Sequence, residues 1–278
     1  MHTTLPTICI LGAGSMGGAI LSGLLQPSVT VDGGIRVTNR TEAKAAALRS
    51  DAVLSYATEQ DPAANLAAVA GASLVLVAVK PAMIPDLLRE IADALDPGTV
   101  VVSVAAGVTI DTFESILPES VSVLRAMPNT PAIVGKGVTG LSAGTRSSVE
   151  DLALASALFA TVGDVVVVPE SKIDAVSTIS GSGPAYVFYL IEELTRTAVD
   201  LGFTAEQAAT MVNGTFLGAA ELLVSSGETP RELRRQVTSP KGTTERAIAE
   251  LEKADLKALF DRATAAALAR ARELAAGV

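Results

Sequence analysis

The stretch Val237-Thr238-Ser239-Pro240-Lys241-Gly242-Thr243-Thr244 clusters hydroxyl side chains around one Pro and one Gly, directly before an amphipathic helical pattern. Such a turn offers hydroxyl donors and the unbonded N–H groups of a helix start, which together suit a small anion. Near the other end of the chain, Gly12-Ala13-Gly14-Ser15-Met16-Gly17 reads G-x-G-x-x-G. It follows an apolar strand candidate and opens an apolar helix candidate, the context a dinucleotide fingerprint requires. One end suits a cofactor and the other a small anionic substrate. Together they point to a two-site oxidoreductase rather than a nucleotide-binding module alone.

Each position of the fingerprint has a physical role. Gly12 permits the tight turn, Gly14 lets the backbone approach a pyrophosphate, and Gly17 allows close helix–strand packing, with Ser15 and Met16 opening the helix. The competing explanation is an ordinary glycine-rich strand–helix turn. The end of the next strand reads Val37-Thr38-Asn39-Arg40-Thr41, with no Asp or Glu for a ribose 2′-hydroxyl. Arg40 instead offers a guanidinium for a 2′-phosphate, with Asn39 and Thr41 as neutral donors, so NADPH is the expected cofactor and NADH remains possible. Ala78-Val79-Lys80-Pro81 closes a later strand, where backbone groups can line the cofactor and Lys80 can reach a phosphate or the nicotinamide region. Asn129 sits in the turn Pro128-Asn129-Thr130-Pro131 at another strand's carboxyl end, which suits either turn chemistry or a ligand-facing role.

The elements that must position these residues follow from periodicity. Strands are expected at Thr7–Leu11, Ile35–Asn39, Ala52–Ser55, Leu74–Val79, Val100–Val104, Val121–Arg125, Val138–Ser142 and Asp164–Val168. Helices between them imply βαβ units, hence a doubly wound, largely parallel Rossmann-type α/β domain. After Val168 only helical periodicity continues, which places a boundary near Pro169: a dinucleotide-binding domain over 1–169 and an all-helical domain over 170–278. Breaks at Gly181-Ser182-Gly183-Pro184, Gly202, Gly227 and Pro240 divide the second half into helices, one carrying Tyr186, Leu190, Leu194, Thr197 and Leu201 on one face.

Composition narrows the class. Of 278 residues, 49% are hydrophobic and 18% charged, enough for substantial cores and against disorder. A net charge of −9 disfavours nonspecific binding to nucleic acid or a membrane surface. No run of 18 apolar residues lacks charges or turn formers, so no membrane span is expected, and the N-terminus has no basic region typical of a signal peptide. One cysteine, Cys9, lies in an apolar run; it reads as a core residue, excludes an intrachain disulfide and favours the cytoplasm. The sole histidine, His2, lies in what reads as a frayed terminus, away from catalysis.

With these motifs the chain resembles the pyrroline-5-carboxylate reductases. The match is carried by Gly12–Gly17, Ala78-Val79-Lys80-Pro81, Arg125-Ala126-Met127-Pro128-Asn129-Thr130-Pro131, Ser180-Gly181-Ser182-Gly183-Pro184-Ala185-Tyr186 and Val237–Thr244. The resemblance implies NADPH- or NADH-dependent reduction of 1-pyrroline-5-carboxylate to L-proline. It implies a helical domain that binds the imine carboxylate and dimerises by intertwining helices, with a decamer among the higher assemblies left open. It implies that Ser239, Gly242 and Thr243 hold the carboxylate, that Thr244 meets the ring nitrogen as the catalytic residue, and that Asn65 lies near the cofactor ribose. Hydride transfer to a protonated cyclic imine needs alignment and anchoring more than acid–base machinery, which agrees with these residue types.

The family usually has glycine where this chain has Lys241. If the position needs positive φ, lysine costs roughly 1 kcal/mol or more; otherwise its ammonium adds attraction for the carboxylate. Helix N-capping is the ordinary role for Thr243 and Thr244 and is compatible with function. A hydroxyacid dehydrogenase needs a lysine base, and none occurs between Lys172 and Lys241. An NADP-binding sensor without turnover and a reductase of another cyclic imine acid remain as alternatives.

Overall fold

A computed structural model describes residues 2–275. Its contacts define two compact units, one running through Ser182 and including the chain from Ala267 onward, the other comprising Gly183–Ala266. The first contains β1 (Thr3–Leu5), β2 (Ile8–Leu11), α1 (Ser15–Leu24), β3 (Val29–Val31), β4 (Ile35–Asn39), α2 (Glu42–Ala46), β5 (Val53–Ala57), α3 (Ala64–Val69) and β6 (Leu74–Val77). It continues through α4 (Ile84–Ile91), β7 (Val100–Ser103), α5 (Ile110–Glu114), β8 (Ser122–Met127), β9 (Gly137–Ala143), α6 (Val149–Ala160), β10 (Gly163–Val167) and α7 (Ile173–Val176).

Eight strands form one sheet in the order β10-β9-β8-β7-β6-β2-β4-β5, parallel throughout except at β8/β9. The expected doubly wound architecture is therefore present. Alternation along β2 shows why its residues are apolar on every position. Ile8 and Ile10 enter a core with Ile20 and Leu24 of α1 and Leu158 and Phe159 of α6. Cys9 and Leu11 enter a second core with Val69 of α3, Leu88 of α4 and Phe113 of α5. Burial pushes the Cys9 thiol well above its ordinary range, with Arg36 a smaller opposing influence, so Cys9 is an inert core residue.

Two expectations change at the edges. The N-terminus is not frayed at residue 3: β1 pairs in parallel with β3, and His2 Nε2 lies 2.8 Å from Thr30 Oγ1. Strands of three residues carry too little periodicity to be read from sequence. The first compact unit runs on past Pro169 to Ser182. Polar ties account for the extension. Buried Arg125 of β8 binds Asp174 at 2.6 Å and Glu170 at 3.5 Å, and Glu170 accepts the Ile110 N–H at 2.7 Å. Residues Ser177–Gly181 form a π-helical turn leading into the next helix, not an open break.

The second unit holds α8 (Gly183–Asp200), α9 (Ala205–Ser226), α10 (Pro230–Gln236), α11 (Thr243–Glu252) and the first part of α12 (Leu256–Ala275). Among the described residues no strand follows β10, as expected. Tyr186 meets Phe260 edge-on at 5.9 Å, but Leu190, Leu194 and Leu201 of the anticipated face are exposed. So are Phe188 of α8 and Leu217 and Val224 of α9. By length and hydropathy alone α9 is apolar enough to cross a membrane. Its sequence nevertheless carries Glu206, Asn213 and Glu221.

Replacing Arg125 with Met leaves Glu170 and Asp174 without their cation. The expected loss is roughly 2–4 kcal/mol, tempered because both carboxylates remain partly hydrated; urea unfolding of Arg125→Met checks it.

Candidate active site

The strand order reverses between β2 and β6, so the chain leaves their carboxyl ends toward opposite faces of the sheet. A cavity of about 660 Å³ opens at this place. Gly12, Gly14, Asn39, Arg40, Asn65, Ala78, Val79 and Lys80, all expected at a cofactor, line it together. The turn after β2 is pinned by Gly12 and Ala13 N–H groups donating to the Thr38 carbonyl, while the Ala78 N–H donates to Leu11.

The close packing explains the glycines. Gly12 has φ of 90°, and a Cβ there would lie 2.9 Å from Val79 Cγ1; at Gly17 it would lie 2.6 Å from the Gly12 carbonyl oxygen. Gly14 differs, since a Cβ there would meet nothing within 4 Å. That open space lies beside the start of the ten-residue helix α1, which has no side-chain cap and no acid in its first turn. Ser15, Met16 and Gly17 are its first residues and do not themselves line the cavity. The arrangement fits a pyrophosphate, whose negative charge the exposed helix N–H groups favour.

At the β4 end, Arg40 and Lys44 both line the cavity and have no carboxylate partner among the described residues. Lys44 escaped the sequence reading; a cation one turn after Arg40 in a helix beginning at Glu42 was the available signal. The nearby acid is occupied: Glu42 binds Arg49, whose hydrogen bond lowers the Glu42 carboxyl below its ordinary range. Asn39 is buried, and its Nδ2 makes no hydrogen bond, leaving an orphaned donor in this wall. Thr58, Asp86 and Glu90 were also not anticipated as lining residues.

Asn129 belongs elsewhere. Its amide donates to the Ser180 carbonyl at 3.0 Å and accepts the Val138 N–H at 2.8 Å. These bonds commit the buried side chain to holding the π-helical turn and β9, the turn-chemistry role of the two that its position allowed.

In the second unit, Gly242 N–H donates to the Ser239 carbonyl at 3.0 Å across Pro240 and Lys241. Lys241 has φ of 62°, so the position does require the left-handed region. Proline second and a left-handed residue third is the pattern of a type II turn, which normally takes glycine there. The Lys241 N–H donates to the Glu245 carboxylate at 2.9 Å. Gly242 caps α11, and a Cβ on it would lie 2.5 Å from Ser239 Oγ.

Thr243 and Thr244 are therefore the first two residues of α11, not its cap, and the helix has no side-chain cap. Neither hydroxyl, nor that of Ser239, is engaged in a hydrogen bond among the described residues. An uncapped ten-residue helix start with three unused hydroxyls can receive a carboxylate.

Comparison with known proteins agrees with both halves. A family described as pyrroline-5-carboxylate reductase dimerisation matches residues 170–274, and one described as NADP oxidoreductase, coenzyme F420-dependent, matches residues 7–107. A pyrroline-5-carboxylate reductase of Corynebacterium melassecola is 40% identical over 271 residues, covering 96% of this chain and 98% of that protein. That of Pseudomonas aeruginosa is 36% identical, with 97% of each chain covered. Among solved structures, a pyrroline-5-carboxylate reductase from Coxiella burnetii is 38% identical, with a TM-score of 0.88 over 96% of this chain and 97% of its own. The Plasmodium falciparum pyrroline carboxylate reductase, solved with NADP bound, shares the fold at a TM-score of 0.81 and 23% identity, covering 97% of this chain and 98% of its own.

Substituting Lys241 by Gly relieves the left-handed lysine. We expect stabilisation of about 1 kcal/mol, read as a thermal midpoint about 2–4 °C higher. Gly242→Ala should lower the midpoint, because its Cβ would collide with Ser239.

Proposed function

The chain belongs to the pyrroline-5-carboxylate reductase family, and we propose that it uses NADPH to reduce 1-pyrroline-5-carboxylate to L-proline, with the roles below. The observation that carries the assignment of roles is the turn Ser239–Thr244, whose hydroxyls and helix N–H groups are unspent beside a left-handed residue. The reduced nicotinamide, when bound, supplies the hydride for the imine carbon.

Residues 1–169 serve as the dinucleotide-binding domain and residues 170–278 as the substrate-binding and dimerisation domain. The turn Gly12–Gly14 and the start of α1 hold the pyrophosphate, while Arg40 and Lys44 attract the 2′-phosphate. Lys80 adds positive charge along the cavity wall. Ser239, Thr243 and the free N–H groups at the start of α11 anchor the substrate carboxylate, and Gly242, its own N–H spent on the Ser239 carbonyl, lets the turn close on Ser239 without a side chain. The Thr244 hydroxyl orients the ring nitrogen. It is too weak an acid to give up its own proton readily, and a protonated imine does not need one to make its carbon electrophilic.

The exposed apolar side chains of α8 and α9 and the dimerisation-family match over residues 170–274 support a homodimer built through the helical unit. Association with a second copy also accounts for an apolar α9 without placing it in a membrane. The cytoplasm is the compartment consistent with a single buried cysteine.

The primary test follows NADPH oxidation with racemic pyrroline-5-carboxylate, beside pyrroline-2-carboxylate and piperideine-6-carboxylate. Fast turnover on the first alone is expected. Turnover chiefly on another imine would change the substrate, and binding without turnover would make the protein a sensor. Arg40→Asp should raise the KM for NADPH by at least about tenfold while changing that for NADH little; an unchanged cofactor preference would remove Arg40 from the site. Thr244→Ala should lower kcat by about tenfold or more with little change in the thermal midpoint, and undiminished turnover would end its assigned role.

A further inference from the structure

We propose that Glu90 is a positioning residue for the cofactor, holding Asn65 so that its amide oxygen is the atom left to accept a ribose hydroxyl. The inference rests on the cofactor reading above and adds a residue that neither the fingerprint nor the family motifs contain.

The geometry begins with α4. Its buried residues Ile84, Leu87, Leu88 and Ile91 form one apolar stripe. That stripe fixes the rotation of the helix and leaves Asp86 and Glu90, four residues apart, together on the cavity wall. Across from them, the short helix α3 presents Asn65 to the same cavity. The Asn65 Nδ2 lies 3.1 Å and 3.2 Å from the two carboxylate oxygens of Glu90.

An ionised carboxylate only accepts hydrogen bonds, so it dictates which end of the amide faces it. The nitrogen must turn to Glu90, and the oxygen remains without a partner among the described residues. A neutral acceptor on this wall suits a sugar hydroxyl, which can donate to it, better than an ionised phosphate, which cannot. In water the Asn65–Glu90 bond contributes little because both groups are solvated. Under a bound dinucleotide the same bond is shielded, and an amide free to flip would present its donors half the time instead. Glu90 also carries a charge that repels the cofactor phosphates, an effect opposite in sign to the orienting one and separable from it by Glu90→Gln.

The test measures NADPH binding by the fluorescence of the reduced nicotinamide in the full chain, for wild type, Glu90→Gln, Glu90→Met, Asn65→Ala and the double variant Asn65→Ala/Glu90→Met. Glu90→Met should raise the Kd about three- to tenfold, with the kcat at saturating NADPH, the KM for the imine and the thermal midpoint unchanged. Glu90→Gln keeps an acceptor, loses the repulsion, and should bind within about twofold of wild type or tighter. In the Asn65→Ala background Glu90→Met should add less than about twofold, because the two residues act as one unit. An unchanged Kd in Glu90→Met, equal effects in both backgrounds, or a loss in Glu90→Gln matching that in Glu90→Met would each overturn the assignment. A fall in the thermal midpoint that accounts for the weaker binding would overturn it too. A wild-type protein that binds no NADPH overturns the cofactor reading itself, and this inference with it.

Discussion

Between β2 and β6 the parallel sheet reverses its order, and the two crossover connections depart to opposite faces. Neither can roof the strand ends there, so a crevice is a topological necessity rather than an added feature. The crevice can be narrow only because Gly12 and Gly17 let the first turn press against Ala78, Val79 and its own carbonyl. The same compression fixes the start of α1 beside the cavity. Alternating burial along β2, with cores above and below, keeps this frame rigid while the lining side chains remain variable.

The turn before α11 is organised by a different balance. Backbone geometry at position 241 favours glycine, yet the chain places lysine there, and the backbone N–H of that residue donates to the Glu245 carboxylate. Glu245 would ordinarily reach the N–H of the capping residue in a capping box. Gly242 already spends that N–H inside the turn, so the carboxylate moves back by one residue. The first turn of α11 is thereby braced without occupying the Thr243 and Thr244 hydroxyls.

Much of this was legible before any coordinates. Largely apolar runs named all eight sheet strands to within two residues at each end, because buried parallel strands need apolar residues on both faces. The fingerprint glycines and Arg40 were readable because their chemistry is local. Asn129 stayed between two roles, since a turn at a strand's carboxyl end looks the same whether its amide faces a ligand or the protein. Its partners, Ser180 and Val138, are brought to it by tertiary folding. The Arg125 ion pairs to Glu170 and Asp174 were out of reach for a similar reason, since no local pattern near Pro169 announces a tertiary pairing with β8. Asp86 and Glu90 sit on a helix whose rotation about the cavity is decided by packing, not by spacing from a motif.

Cys9 gives the first unit an internal reporter. Its sulfur lies in the central strand, fully covered, and is the chain's only thiol. A thiol reagent can reach it only through openings that part β2 from the second core. Labelling kinetics at this atom therefore time the breathing of the nucleotide-binding layer alone, with no background from the helices that follow it.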